Sequence, residues 1–146
     1  MPAHFEGDIV IAGISGRLPE SSNIEEFKEN LLKGMDMVTE DECRWSADNH
    51  GVPRRFGKIK NLSSFDAYFF KVNSKQANFM DPQHRLMLEV TYEALIDAGI
   101  NPTSLKKSRT GVFIGVSGSD ANHFWRTDPN GLYISKIYRK NFRLII

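Results

Sequence analysis

Residues 8–13, Asp-Ile-Val-Ile-Ala-Gly, form a short apolar run rich in β-branched side chains. Its apolarity is continuous rather than alternating, which predicts a strand covered on both faces, as in a parallel sheet. Gly13-Ile14-Ser15-Gly16-Arg17-Leu18-Pro19 breaks the run. Two glycines there could cradle an anion, but the Lys-Ser/Thr pair of a P-loop and the third glycine of a dinucleotide fingerprint are missing. A tight turn that brings two backbones close is the favoured reading. Ser22-Asn23-Ile24-Glu25 has the spacing of a capping box, and Ile24, Phe27, Leu31 and Leu32 recur at helical spacing before Gly34. The pattern predicts an amphipathic helix over 24–33 with one buried face.

Residues 35–64 read as irregular, with a short strand over 56–60. Phe65, Tyr68, Phe69 and Phe70 stand close together. Aromatics at that density usually fill a core rather than bind a cofactor. Asp81-Pro82 opens the strongest predicted helix, since Asp caps well and Pro fits the first helical position. Along it Arg85, Glu89, Glu93 and Asp97 recur at four-residue steps and make one slowly drifting polar stripe. Apolar residues occupy most of the remaining circumference, which predicts a helix buried inside something large. Gly99 supplies the stop. Residues 110–116, Thr-Gly-Val-Phe-Ile-Gly-Val, read as a second parallel-type strand, with Ser117-Gly118-Ser119 as its terminal loop. This order of strands and helices predicts an α/β protein. Two such strands expect more neighbours than these residues supply.

Composition narrows the field of functions. The 146 residues are 40% hydrophobic and 25% charged, which fits a globular chain and not a disordered one. No apolar run approaches the roughly 20 residues of a membrane-spanning helix, and no secretory signal is evident, so no membrane partner is expected. A net charge of +1 argues against bulk capture of nucleic acid. The one cysteine, Cys43, excludes an intrachain disulfide framework and a Cys-rich zinc site, and an intracellular, cytoplasmic setting follows by default. Charge is uneven, however. Residues 132–146 carry Lys136, Arg139, Lys140 and Arg143 with no acid, and end on Leu-Ile-Ile. The reading divides the chain into a domain over 1–131 and a divergent basic tail over 132–146.

Candidate chemistry is sparse. Cys43 with His84 and His123 is a tempting set, because a thiol beside imidazoles holds acyl groups. Yet Asp41 and Glu42 would raise the thiol's pKa against Arg44 lowering it, and no helix N-terminus presents the sulfur. His84 falls in the first turn of the long helix, where the dipole disfavours an imidazolium. His4 and His50 have no apparent partners. Glu89 and Glu93 stand one turn apart and could share a proton or a metal, but a solvated face is the commoner meaning of that spacing. Arg54, Arg55, Lys58 and Lys60 form a basic cluster diluted by nearby acids.

At Met80-Asp81-Pro82-Gln83-His84-Arg85-Leu86-Met87-Leu88-Glu89, followed by Tyr92-Glu93-Ala94-Leu95 and Asp97-Ala98-Gly99-Ile100, the chain resembles the N-terminal half of a β-ketoacyl synthase domain. The opening segment from Ile9 to Ser21, the Phe65-Asp66-Ala67-Tyr68-Phe69-Phe70 run and residues 110–118 fit the same family. Gly34-Met35-Asp36-Met37-Val38-Thr39, Pro53-Arg54-Arg55 and Lys75-Gln76-Ala77 resemble animal type I fatty acid synthase more than polyketide synthases. The likeness covers about residues 8–131.

The resemblance implies a thiolase-like α/β fold of two related halves, of which this chain would be an N-terminal partial domain. It implies a homodimer within a cytosolic multidomain enzyme. That enzyme condenses an acyl group held on a cysteine with malonyl on an acyl carrier protein, whose phosphopantetheine arm is the cofactor implied. None is expected in this chain itself. The family's nucleophile elbow, an Asp/Ala/Cys/Ser/Ser-type run, and its two catalytic histidines find no counterpart here, so no catalytic or metal position is carried over. Ser117, Gly118 and Ser119 resemble a segment near the acyl pocket and dimer contact. The expectation is a fragment that is inactive alone. The alternatives are a short isoform that binds full-length synthase and a truncated gene model.

Overall fold

The structure is a computed structural model, and it describes residues 8–40 and 53–116. Its elements are α1 (Ile24–Leu32), β1 (Val38–Glu40), β2 (Arg55–Gly57), α2 (Ser74–Phe79) and α3 (Pro82–Asp97), followed by a 3₁₀ turn at Pro102–Leu105.

Both predicted helices form, and their ends have identifiable chemistry. At α1 the cap is one residue later than the sequence suggested. Asn23 is the N-cap, its side-chain oxygen accepting from the Glu26 amide at 2.8 Å, and the Glu26 carboxylate accepts from the Ser22 amide at 2.6 Å. The box is therefore Asn23 with Glu26, not Ser22 with Glu25. The helix ends in a Schellman motif: Gly34 takes φ 65°, its amide reaches Leu31 O, and the Met35 amide reaches Asn30 O. The same motif closes α3, with Gly99 at φ 69°, its amide on Leu95's neighbour Ile96 O and the Ile100 amide on Leu95 O. Asp81 caps α3 by accepting from the Gln83 amide at 2.8 Å, with Pro82 in the first turn. The short α2 has no counterpart in the sequence reading. Asn73 caps it, and the helix lasts only six residues.

The pair β1 and β2 is antiparallel, with Thr39 opposite Phe56. Sequence pattern places a strand near 56–60. The observed strand starts and ends earlier, and its partner lies in a stretch read as irregular. Arg55 explains part of that register. It donates to Val38 O at 2.7 Å and to the Asp36 carboxylate, which also accepts from the Val38 amide. A turn at Leu18–Ser21 sits against this pair. Pro19 packs where a Gly57 side chain would stand, the Glu20 amide donates to Lys58 O, and Ser21 is fully buried.

Three expectations fail in the described residues. Residues 8–13 and 110–116 adopt no ladder and are largely exposed, Phe113 at 97%. A strand's backbone needs neighbours on both edges to satisfy its N–H and C=O groups, and none is supplied. The α1 face is not buried: Leu31 and Leu32 are exposed. No residue of α3 is fully buried, and Ile96 is exposed. The aromatic expectation holds better. Phe65 stacks on Phe70 at 5.3 Å, and Phe69 meets Tyr92 of α3 edge-on at 4.8 Å, while Tyr68 points to solvent.

Candidate functional site: the polar stripe of the long helix

Four-residue steps put Arg85, Glu89, Glu93 and Asp97 on one side of α3. That side is only partly solvated. The segment that follows the apolar opening run crosses it. Gly13 lies so close that an added Cβ would stand 2.2 Å from Ala94 O and 2.7 Å from the Ala98 nitrogen. Only glycine permits that approach. One residue on, the Ile14 amide donates to the Asp97 carboxylate at 2.9 Å. One helical turn back, Glu93 accepts three hydrogen bonds: Arg17 Nη1 at 2.7 Å, Arg17 Nη2 at 2.5 Å and Ser15 Oγ at 2.6 Å. Arg85 donates through Nη2 to Leu62 O at 3.0 Å.

The guanidinium fork matches a carboxylate bidentately, which fixes direction as well as energy. Arg17 is 18% exposed and Glu93 41%. The Arg17 hydrogen bonds hold the Glu93 carboxyl below the usual carboxylate range, against the opposing effect of partial burial, and Ser15 adds to the lowering. The same pair holds Arg17 above its ordinary value. A carboxylate saturated with three donors is a poor proton acceptor near neutrality. The arrangement is a latch between segments 76–83 residues apart, and not an acid–base pair.

The other candidates are placed as follows. Ser117, Gly118 and Ser119, with Cys43, His4, His50 and His123, lie outside the described residues. His84 is exposed at the first turn of α3. Arg55 and Lys60 of the basic cluster are engaged by Asp36 and Glu26, and Lys58 is buried with its ammonium 4.7 Å above the Phe56 ring. Three of the four cations are thus engaged within the fold, and Arg54 is exposed. Among the described residues no group of three His, Cys, Asp or Glu side chains is placed to hold a metal, and no helix is long and apolar enough to cross a membrane. Ser15 and Arg17 escaped the sequence reading as Glu93's partners. The available signal was the stripe itself: charges on an otherwise apolar helix ask for specific partners.

Residues 6–142 match the family described as β-ketoacyl synthase, N-terminal domain, and the chain belongs to that family. Its fold class is accordingly thiolase-like. Among individual relatives, the fatty acid synthase of the goose Anser anser anser is 57% identical over 125 residues, covering 86% of this chain and 36% of that protein. Polyketide synthase PksL of Bacillus subtilis is 38% identical, covering 82% of this chain and 3% of its own length. Among solved structures, the oxazolomycin ketosynthase domain OzmH KS7 of Streptomyces albus JA3453 superposes with a TM-score of 0.64 at 35% identity, covering 73% of this chain and 21% of that one. A ketosynthase from module 6 of the bacillaene synthase of Bacillus subtilis gives 0.59 at 35%, covering 64% and 17%. The chain spans about a third of the goose relative's length and less of the others.

Proposed function

We propose that these residues form the N-terminal part of the condensing domain of a fatty acid synthase. The domain joins an acyl group, held as a thioester on a cysteine, to malonyl on an acyl carrier protein, with loss of CO₂. The observation that carries this reading is the family match over residues 6–142 together with 57% identity to an animal fatty acid synthase. In this reading the latch fixes the opening segment against α3. Ser117, Gly118 and Ser119 approach the acyl pocket and dimer contact, and residues 132–146 are a divergent basic tail. The homodimer, the carrier protein with its phosphopantetheine arm and the cytoplasmic setting come with the same proposal.

The 146 residues taken alone are inactive in this reading. Condensation proceeds through an acyl-enzyme, and that intermediate needs an activated nucleophile. The one cysteine, Cys43, stands in the run Asp41-Glu42-Cys43-Arg44, which does not resemble the family's nucleophile run. The test is incubation of the purified chain with acyl and malonyl carrier substrates. No 3-oxoacyl product above a no-enzyme control is expected, and turnover would overturn the inactive reading. A second reading rests on the exposed apolar segments 8–13 and 110–116: a short isoform that binds full-length synthase. Co-purification with native synthase supports it, and failure to co-purify overturns it.

A further inference from the structure

The chain leaves α3 through the 3₁₀ turn and then reverses over residues 105–108. The Ser108 amide donates to Leu105 O at 2.9 Å. Lys106 takes φ −60° and ψ 120°, and Lys107 takes φ 68°. These angles define a type II turn, whose third position favours glycine. Lys107 therefore holds a left-handed conformation that a side chain disfavours, and opening the turn relieves it. Lys106, Lys107, Ser108, Arg109 and Thr110 are all exposed. Among the described residues none of the three cations forms an ion pair, unlike Lys28, Lys33, Arg55 and Lys60. Ser108 Oγ shares a hydrogen bond with the Thr110 hydroxyl, and among the described residues no other side chain engages it.

A hydroxyl on an exposed turn, flanked by two lysines before and one arginine after, is what a kinase cleft lined with acidic side chains selects. The cleft needs its substrate extended, and the strained turn opens toward that form. We propose that Ser108 is a phosphoacceptor for a basophilic serine/threonine kinase. Ser108 Oγ forms a bond to the γ-phosphorus of ATP, the bond to the ADP oxygen breaks with its electron pair, and the hydroxyl proton passes to the kinase's catalytic carboxylate. The product carries a charge of about −1.5 to −2 at pH 7 among three cations. The loop ahead of the apolar 110–116 segment then changes from a repelling cationic turn to a self-neutralised one. This inference stands apart from condensing activity.

The experiment treats the purified chain with ATP and a recombinant basophilic kinase, and in parallel with an acidophilic one. Intact mass and peptide mapping are the readouts. One phosphate on Ser108, from the basophilic kinase alone, is the expected result. Ser108→Ala loses it and Thr110→Ala keeps it. The Lys106→Gln/Lys107→Gln variant slows the initial rate about tenfold, the equivalent of losing one good charge contact. Phosphate on Thr110 or Ser104 instead, no phosphate, equal modification by the acidophilic kinase or an unchanged rate in the lysine variant each overturns the proposal. Every substitution lies on an exposed loop, so folding does not confuse the result.

Discussion

Residues 9–11 and residues 13–17 are separated only by Ala12, and they meet different environments. Ile9, Val10 and Ile11 face solvent, while Gly13, Ile14, Ser15 and Arg17 are docked on α3 by close packing, one amide–carboxylate bond and a three-donor carboxylate. The difference separates two kinds of interaction. Apolar burial is proportional to area and has no direction, so a strand segment gains it only when sheets or helices close over both faces. Hydrogen bonds and ion pairs act at a point. A single helix suffices to bind residues 13–17 in one register, whether or not the segment before them has found its sheet. In the described residues the polar contacts set the placement and the apolar segments wait on a covering layer.

The strongest way to break this comparison is steric. Gly13→Val places a branched side chain where the α3 backbone already stands. Overpacking of that severity costs about 3 kcal/mol, at the top of the usual range. Hydrogen exchange at the amides of residues 14–17 is expected to rise to the level of residues 9–11, while α1 and its caps remain protected. Unchanged protection would show that the contact at Gly13 is dispensable. Removing the charge comes next. Glu93→Ala strands Arg17 and Ser15, and because Glu93 is 41% exposed the loss is set at about 1–2 kcal/mol rather than the larger cost of a buried pair. A double-mutant cycle with Arg17→Ala isolates the coupling. A coupling near zero would reduce the bidentate pair to an ordinary surface bridge.

Acid sharpens the same contrast. Glu93 titrates lower when docked than when free, chiefly because Arg17 and Ser15 bond its charged form. A depressed folded pKa stabilises the docked state fully above the free glutamate's value of about 4.3, and the contribution disappears as pH falls through the folded value. Protection of residues 14–17 is therefore expected to stay flat from pH 7 to pH 5 and to fall in stronger acid. The charge-neutral Glu93→Gln variant starts lower and loses that step. A step at the same place in Glu93→Gln would show that Glu93 is not its source.

What the sequence made legible follows the range of the forces involved. The stops at Gly34 and Gly99 and the caps at Asp81 and Asn23 are local chemistry, readable to within a residue even where the box partner shifted from Glu25 to Glu26. The family motif around residues 80–89 was legible because it is a pattern of types and spacings. The fate of the α3 stripe was not, because Glu93's partners lie 76 and 78 residues away, and four-residue spacing describes a solvated face and a docking face alike. Likewise β1 was invisible: three residues with one inward side chain carry no period. The apolar runs over 8–13 and 110–116 predicted strands that do not form in the described residues, because pairing is a property of neighbours and a run of apolar residues does not report them.

The smallest expected effect tests the other half of the comparison. Phe113 is 97% exposed, and its ring contacts little beyond its own segment. If apolar side chains of residues 110–116 contribute nothing until a layer covers them, Phe113→Ser changes the protection of residues 14–17 and of α3 by an amount within about 0.5 kcal/mol, the range of ordinary surface substitutions. The variant is also expected to remain in solution at higher concentration, because exposed β-branched and aromatic runs without proline are templates for association between chains. Light scattering against concentration reads that directly. A loss of α3 protection in Phe113→Ser would mean that the segment already packs on the helix in solution. The polar latch would then be one of two anchors and not the one that sets the register.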